Sequence, residues 1–386
     1  MHPFLSYAFR PFFLFGTAFS AMAMALWVSY QNGWYLPPQT IAPTNWHAHE
    51  MLFGFVVAVI AGFLLTASAS WEKKTPVRGT ALLGLVVTWL LGRLVFLMPE
   101  LSYTAVAVVD LLFLPLLIVA LAFVLLPSAK PRNLVFLLML TLLLSANALF
   151  HRGVLTESDE QARKGLLLGI DTVVLVMVLI GGRVIPLFTA NAVKQVTPVK
   201  WAWAEFLSIG GVAAYLFSDF FSGESRVTGA IAIVAGMGNL VRLFGWGGHR
   251  TARSPILWVL HVGYLFIGIG LVLRGFSLSF GISRFALTLH LLMAGAMGTL
   301  VLGMVTRVAL GHTGRPLRAT AAIGVAYALV IFAALIRVFV PWLFPKLNGS
   351  AVTVAGILWC VAYGIYLATF GAVLARPRLP DSLSGQ

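Results

Sequence analysis

Eight histidines lie in a chain that is otherwise almost continuously apolar, and two of them enter a hydrophobic run together as Trp46-His47-Ala48-His49-Glu50. An ionisable group at the centre of a membrane helix costs about 2.5–3.5 kcal/mol on insertion scales, so imidazoles in such a chain call for an explanation. Neutral imidazole is the commonest ligand for iron and copper. The chemistry these residues predict is therefore metal ligation, of haem iron and of copper. Cys360 is the one cysteine, so no intrachain disulfide and no cysteine-based zinc or iron–sulfur centre can form. Histidine, methionine and carboxylates must do the holding.

Spacing sorts the histidines. With Asn45 as N-cap and a helix from Trp46 onward, His47 and His49 stand about 200° apart and cannot share an ion, whereas His47 and Glu50 share a face. In an extended entry the two imidazoles could chelate together. His290, Met293, Met297 and Met304 form one stripe within about 60°; soft thioethers suit cuprous copper, and methionine also fills irregular cores. His261 and Tyr264 share a face, either as a proton or electron shuttle or as a buried hydrogen-bonded pair. His312 sits between glycines in Gly311-His312-Thr313-Gly314-Arg315, a tight turn that would aim its ring. Asn147 and His151 are one helical turn apart, which fits an amide supporting a ligand. Glu50 and Asp171 are candidates for proton delivery or charge balance, with polar contacts inside the bundle as the alternative. His2 and His249 are read as solvated. Walker, Rossmann, zincin and c-type haem motifs are absent, so those chemistries lose their simplest support.

The elements that must position these groups are membrane helices. At 60% hydrophobic and 10% charged, the chain cannot be an ordinary soluble domain. Twelve runs of spanning length are expected, over residues 12–30, 47–69, 79–98, 101–126, 133–150, 165–189, 201–221, 227–246, 255–278, 284–310, 317–341 and 350–375. No small-residue cleavage site follows the first run, which is therefore read as a retained helix. The net charge of +14 is scattered between runs and sets topology; it is no footprint for nucleic acid. One set of loops holds 14 Lys and Arg and the other 6, placing both termini in the cytoplasm. His47, His49, His151 and His290 then share an outer layer. Arg93, Arg183, Arg242, Arg274, Arg307 and Arg337 fall inside runs, where all can snorkel. The outer ones, with Arg152, could instead pair with haem propionates.

The chain also looks repetitive. Thr75-Pro76-Val77-Arg78, Thr197-Pro198-Val199-Lys200 and Arg315-Pro316-Leu317-Arg318 precede the third, seventh and eleventh helices, with the prolines 122 and 118 residues apart. We read a single polytopic domain over residues 1–386, built of three four-helix units (about 1–126, 127–246 and 247–375) around a pseudo-threefold axis, in which helices two, six and ten are equivalent.

Longer motifs add a resemblance. Trp46-His47-Ala48-His49-Glu50-Met51-Leu52-Phe53-Gly54-Phe55 and Ala61-Gly62-Phe63-Leu64-Leu65-Thr66 resemble the signature of the NnrS family. So do Gly181-Gly182-Arg183-Val184-Ile185-Pro186-Leu187-Phe188-Thr189-Ala190-Asn191, Thr306-Arg307-Val308-Ala309-Leu310-Gly311-His312-Thr313-Gly314-Arg315 and the early Arg10-Pro11-Phe12-Phe13. The similarity runs from residue 9 to about 375; Ala69-Ser70-Trp71 departs mildly from the more polar ending expected there. The resemblance implies a bacterial inner-membrane protein that binds haem and copper and acts in nitric oxide metabolism and resistance to nitrosative stress. The arrangement of twelve helices is also similar to that of haem-copper oxidase catalytic subunits, where helices two and ten hold a haem between two histidines. The helix-six copper histidine and the adjacent His-His pair of those enzymes have no counterpart here; Asp171 stands near the former place.

The resulting expectation is an all-α, multi-pass protein, redox-active towards nitric oxide. A b-type haem lies between His47 or His49 and His290, with Arg152 and Arg274 as propionate partners. His151, His261 and His312 serve a second haem or copper. Glu50 or Asp171 supplies protons if nitric oxide is reduced, and Tyr264 stands by as a shuttle. The partners expected are nitric oxide, the lipid bilayer and an unspecified electron donor, with no nucleic acid. A transporter or metal-trafficking protein and a non-catalytic nitric oxide sensor are the rival readings.

Overall fold

A computed structural model of the chain describes residues 2–34, 41–127, 130–194, 196–281 and 285–380. The described residues form helices and no strands. Twelve helices are long and apolar enough to cross a membrane. We number them α1 Phe9–Gln31, α2 Pro43–Glu72, α3 Gly79–Leu97, α4 Tyr103–Leu125, α5 Pro131–Leu155, α6 Asp159–Ala192, α7 Ala202–Ser222, α8 Arg226–Phe244, α9 Pro255–Phe280, α10 Leu287–His312, α11 Ala321–Leu343 and α12 Pro345–Ala375. The expected start of the tenth run, at residue 284, lies outside the described residues.

Local chemistry sets the helix ends. Ser102, Ser225 and Thr320 accept from the backbone N–H groups of Ala105, Thr228 and Ile323, capping α4, α8 and α11. Pro43 takes the first helical position of α2, where its missing N–H is no loss. The expected N-cap, Asn45, is therefore two residues inside the helix; Ala42 holds the cap position without a side-chain hydrogen bond. Because α2 is helical from Pro43 through His49, the extended entry that would let His47 and His49 chelate together does not occur.

Two helices depart from α geometry. In α2, Glu50–Val56 is a π-helix, and in α10, Leu291–Met297 is another. Such wide turns are rare and are frequent at functional sites. Each is seven residues long and each directly follows a histidine, His49 in one case and His290 in the other.

The chain divides into two compact units. Residues 1–169, 308–316 and 363–386 make the first, and residues 170–307 and 317–362 the second. In the first, Gly54 faces Phe19 and Arg93; a Cβ there would lie 2.6 Å from the Phe19 ring and 2.9 Å from Arg93 Nη1, so only glycine admits both. In the second, α8 and α9 touch backbone to backbone. A Cβ on Gly236 would meet the Gly268 carbonyl at 2.7 Å, the close approach that small residues permit between membrane helices. Phe123, Phe206 and Phe244 are exposed, as side chains facing lipid must be.

Candidate metal centre

Four helices of the first unit bring a buried polar cluster together: α2 supplies His49 and Glu50, α3 Arg93, α4 Tyr103 and Asp110, and α5 Asn147 and His151. His49 and Glu50 are 0% exposed, His151 1%, Asn147 2%, Asp110 3% and Arg93 6%, so none of these groups can rely on water. The cluster satisfies itself instead.

Asp110 is its hub. Its Oδ2 accepts from Asn147 Nδ2 at 2.7 Å and lies 3.0 Å from His151 Nε2 and 3.3 Å from His49 Nε2. Its Oδ1 receives Arg93 Nη2, while Arg93 Nη1 donates to Glu50 Oε1 at 2.6 Å. One guanidinium thus bridges two carboxylates, a task suited to its fixed fork of donors. His151 Nδ1 meets the Tyr103 hydroxyl at 2.9 Å. His49 Nδ1 is 2.9 Å from Glu50 Oε1 and its Nε2 is 2.9 Å from Asn147 Oδ1. Both nitrogens of His49 therefore face acceptors, which suits a doubly protonated ring. Arg93 and that ring then balance Glu50 and Asp110. Glu50 Oε2 is buried with no hydrogen-bond partner among the described residues, and a Cβ on Gly54 would lie 3.2 Å from it.

Among the described residues, one group of His, Cys, Asp and Glu side chains is close enough to share an ion: His49, Asp110 and His151, whose donor atoms all lie within 4.8 Å of one another. Bonds of about 2.1 Å at tetrahedral angles put donors about 3.4 Å apart, close to the separations of Asp110 Oδ2 from the two imidazoles. Two imidazoles and a carboxylate form a donor set for a divalent transition metal. The set fits a single ion, which would take the place of a proton on His49. It does not fit a haem. The His49 ring has Phe96 and Phe150 at 4.8 Å, Phe53 at 5.0 Å and His151 at 5.4 Å between centroids, so no flat slot is left for a macrocycle.

The other sequence candidates lie elsewhere. His47, half-buried, stacks on Trp27 at 4.4 Å between ring centroids and does not join His49. In the first unit also, His312 packs against Phe9 and Tyr7, beside Arg315, whose guanidinium is held below the ordinary arginine range by partial burial and then by neighbouring Arg376. Arg152 is exposed. The remaining candidates belong to the second unit. His261 Nε2 lies 2.9 Å from Thr189 Oγ1. Tyr264 accepts from Arg242 and donates to Asn239, so its hydroxyl is engaged with those side chains. His290 is half-buried at the head of its π-helix. Asp171 and Arg274 are buried and lie near Asp219 and Tyr215.

Sequence reasoning passed over Asp110 and saw Arg93 only as a snorkelling or propionate-binding cation. The signal was available. Asp110 is a lone carboxylate in the middle of an apolar run, as conspicuous on energetic grounds as Asp171. What was lacking was any indication that it meets Arg93 and His151 across three helices.

A family model described as NnrS protein matches residues 3–378. No curated protein matches the chain.

Proposed function

The chain belongs to the NnrS family, and from that premise we propose that it is a metal-dependent, multi-pass membrane protein of nitric oxide metabolism, with one transition-metal ion held by His49, Asp110 and His151. The observation that supports this is the convergence of two imidazoles and a carboxylate from three different helices in a site sealed from water. When bound, the ion supplies an electron-accepting position for a small diatomic ligand such as nitric oxide.

The protein's own groups do the rest. Asn147 Nδ2 donates to Asp110 Oδ2, so it orients the carboxylate donor. Arg93 keeps Glu50 and Asp110 from repelling each other. Glu50 Oε1 accepts the hydrogen bond of His49 Nδ1–H, which would fix the tautomer that leaves Nε2 free to hold an ion. The aromatic rings of Phe53, Phe96 and Phe150 around His49 help exclude water.

The finer assignments belong to the same proposal. The ion is copper or non-haem iron, both of which this donor set accommodates. A b-type haem has its candidate axial imidazole in His290, which heads the same kind of π-helix as His49. The protein exchanges electrons with nitric oxide in a bacterial inner membrane and protects against nitrosative stress.

The test is the metal content and electron paramagnetic resonance spectrum of the purified protein, with and without nitric oxide, for wild type, Asp110→Asn, His151→Ala and His290→Ala. One ion per chain, lost in the first two variants and perturbed by nitric oxide in the wild type, is the expected result. Stoichiometric metal retained in both Asp110→Asn and His151→Ala would overturn the assignment. Optical haem bands that survive in the former pair and vanish in His290→Ala would place the haem separately.

A further inference from the structure

Three helix ends of the first unit meet in a cluster of arginines. Arg10 stands in the first turn of α1, Arg315 three residues after α10, and Arg376 one residue after α12. Arg10 is 2% exposed. Its Nη1 donates to the carbonyls of Leu374 and Arg376, at 2.8 and 2.5 Å, and so ties the start of α1 to the end of α12. Arg315 Nη1 reaches the Thr313 carbonyl at 3.4 Å, and the Leu379 N–H donates to that same oxygen at 3.0 Å. The chain leaving α12 therefore runs beside the turn that follows α10. Gly314 makes that approach possible, since a Cβ there would lie 2.9 Å from the Leu379 carbonyl.

The charge in this cluster has one sign. Arg315 acts through space on Arg10, and Arg376 on Arg315. No carboxylate pairs with Arg10, Arg315 or Arg376 among the described residues. Tyr7 acts on Arg10 in the opposite sense, but a phenol is neutral at pH 7. The carbonyls ending α12 carry partial negative charge, and Arg10 takes it up. Arg315, half-buried, has one long contact to a carbonyl, and Arg376 is exposed. Like charges held together near a partly buried surface are unfavourable until an anion joins them.

We propose that Arg315 and Arg376, with the buried Arg10 adding its charge, bind the phosphate of an anionic phospholipid headgroup. Phosphate is the anion that guanidinium forks recognise, through two parallel hydrogen bonds. The cluster lies where three spanning helices begin or end, the level at which headgroups lie, and basic pockets between spanning helices take such headgroups. Tyr7 is 36% exposed and its ring is 6.1 Å from that of His312, so the cluster has the kind of aromatic neighbour that sits at the membrane–water boundary. The inference does not depend on any ion being bound at His49, Asp110 and His151.

Full-length protein in phosphatidylcholine nanodiscs doped with increasing phosphatidylglycerol provides the test. Thermal melting reads stabilisation, and native mass spectrometry counts the phosphatidylglycerol retained. The wild type should melt higher as phosphatidylglycerol is added, levelling off at about one retained lipid per chain. Arg315→Gln combined with Arg376→Gln should abolish both effects. Arg315→Lys combined with Arg376→Lys keeps the charge but loses the forks, and should bind the lipid several-fold more weakly. Arg318→Gln, which removes an exposed cation close by in sequence, should change neither readout. Circular dichroism would establish that each variant is folded. An equal loss in Arg318→Gln would mean diffuse attraction to the bilayer and overturn the proposal. So would the same stabilisation by inorganic phosphate in undoped nanodiscs, which would make this a site for a free anion. Lipid retention that appears only in Asp381→Asn would assign the arginines to the chain's own carboxylate and overturn it as well.

Discussion

His151 Nε2 and His49 Nε2 approach the same oxygen, Asp110 Oδ2, at 3.0 and 3.3 Å. The two rings come from different helices, and the oxygen between them belongs to a third. This places a hard anionic donor between two imidazoles, and it is the geometry on which the candidate centre depends.

Asn147→Ala should weaken metal binding while leaving all three donors in place. Loss of a group that orients ligands typically costs about 10–100-fold in affinity. Competition against a chelator of known affinity would measure it; an unchanged affinity would show that Asn147 supports packing alone.

Metal binding should release protons and tighten as pH rises. His49 faces acceptors at both nitrogens without metal, and only a deprotonated Nε2 can ligate. Protons therefore compete with the ion at low pH, and the competition fades as pH increases. Titration calorimetry in two buffers of different ionisation enthalpy would count the protons released, about one per ion under conditions where His49 starts doubly protonated.

Arg93→Met should destabilise the first unit strongly, by about 3–5 kcal/mol, because it leaves Glu50 and Asp110 buried together without a counter-charge. Arg93→Lys should recover only part of this, since a single ammonium cannot present parallel donors to two carboxylates. Thermal unfolding in nanodiscs would rank the three proteins; equal stability of Lys and Arg would mean the fork geometry is unimportant.

Gly54→Ala and Gly236→Ala should each be harmful, for different reasons. At residue 54 the new methyl would press on Phe19 and on Arg93, which holds Glu50, so metal content should fall together with stability. At residue 236 it would press on the Gly268 carbonyl, so α8 and α9 would separate and stability alone should fall. Overpacking of this kind costs about 1–3 kcal/mol. Metal assay alongside thermal melting would separate the two effects.

Membrane character, the number of spans and the family were all readable from the chain, because they depend on composition, run length and contiguous motifs. A run such as residues 101–126 must be buried in lipid or protein wherever it sits. That His49 and His151 must find polar partners was readable for the same reason, since imidazoles in an apolar helix need them. Their shared partner was not. Asp110, Arg93 and Asn147 are separated in sequence from His49 by 61, 44 and 98 residues, and nothing local distinguishes a carboxylate that meets an arginine across the bundle from one that does not. The split between His47 and His49 was also a tertiary matter. Spacing left a helical and an extended entry open, and Pro43 decided it by starting the helix early. Hydrophobic patterning thus determined which segments cross the membrane. Only the packing of those segments decided which few polar groups would have to satisfy one another, because in a medium without water a buried donor or charge must take whatever partner the neighbouring helix presents.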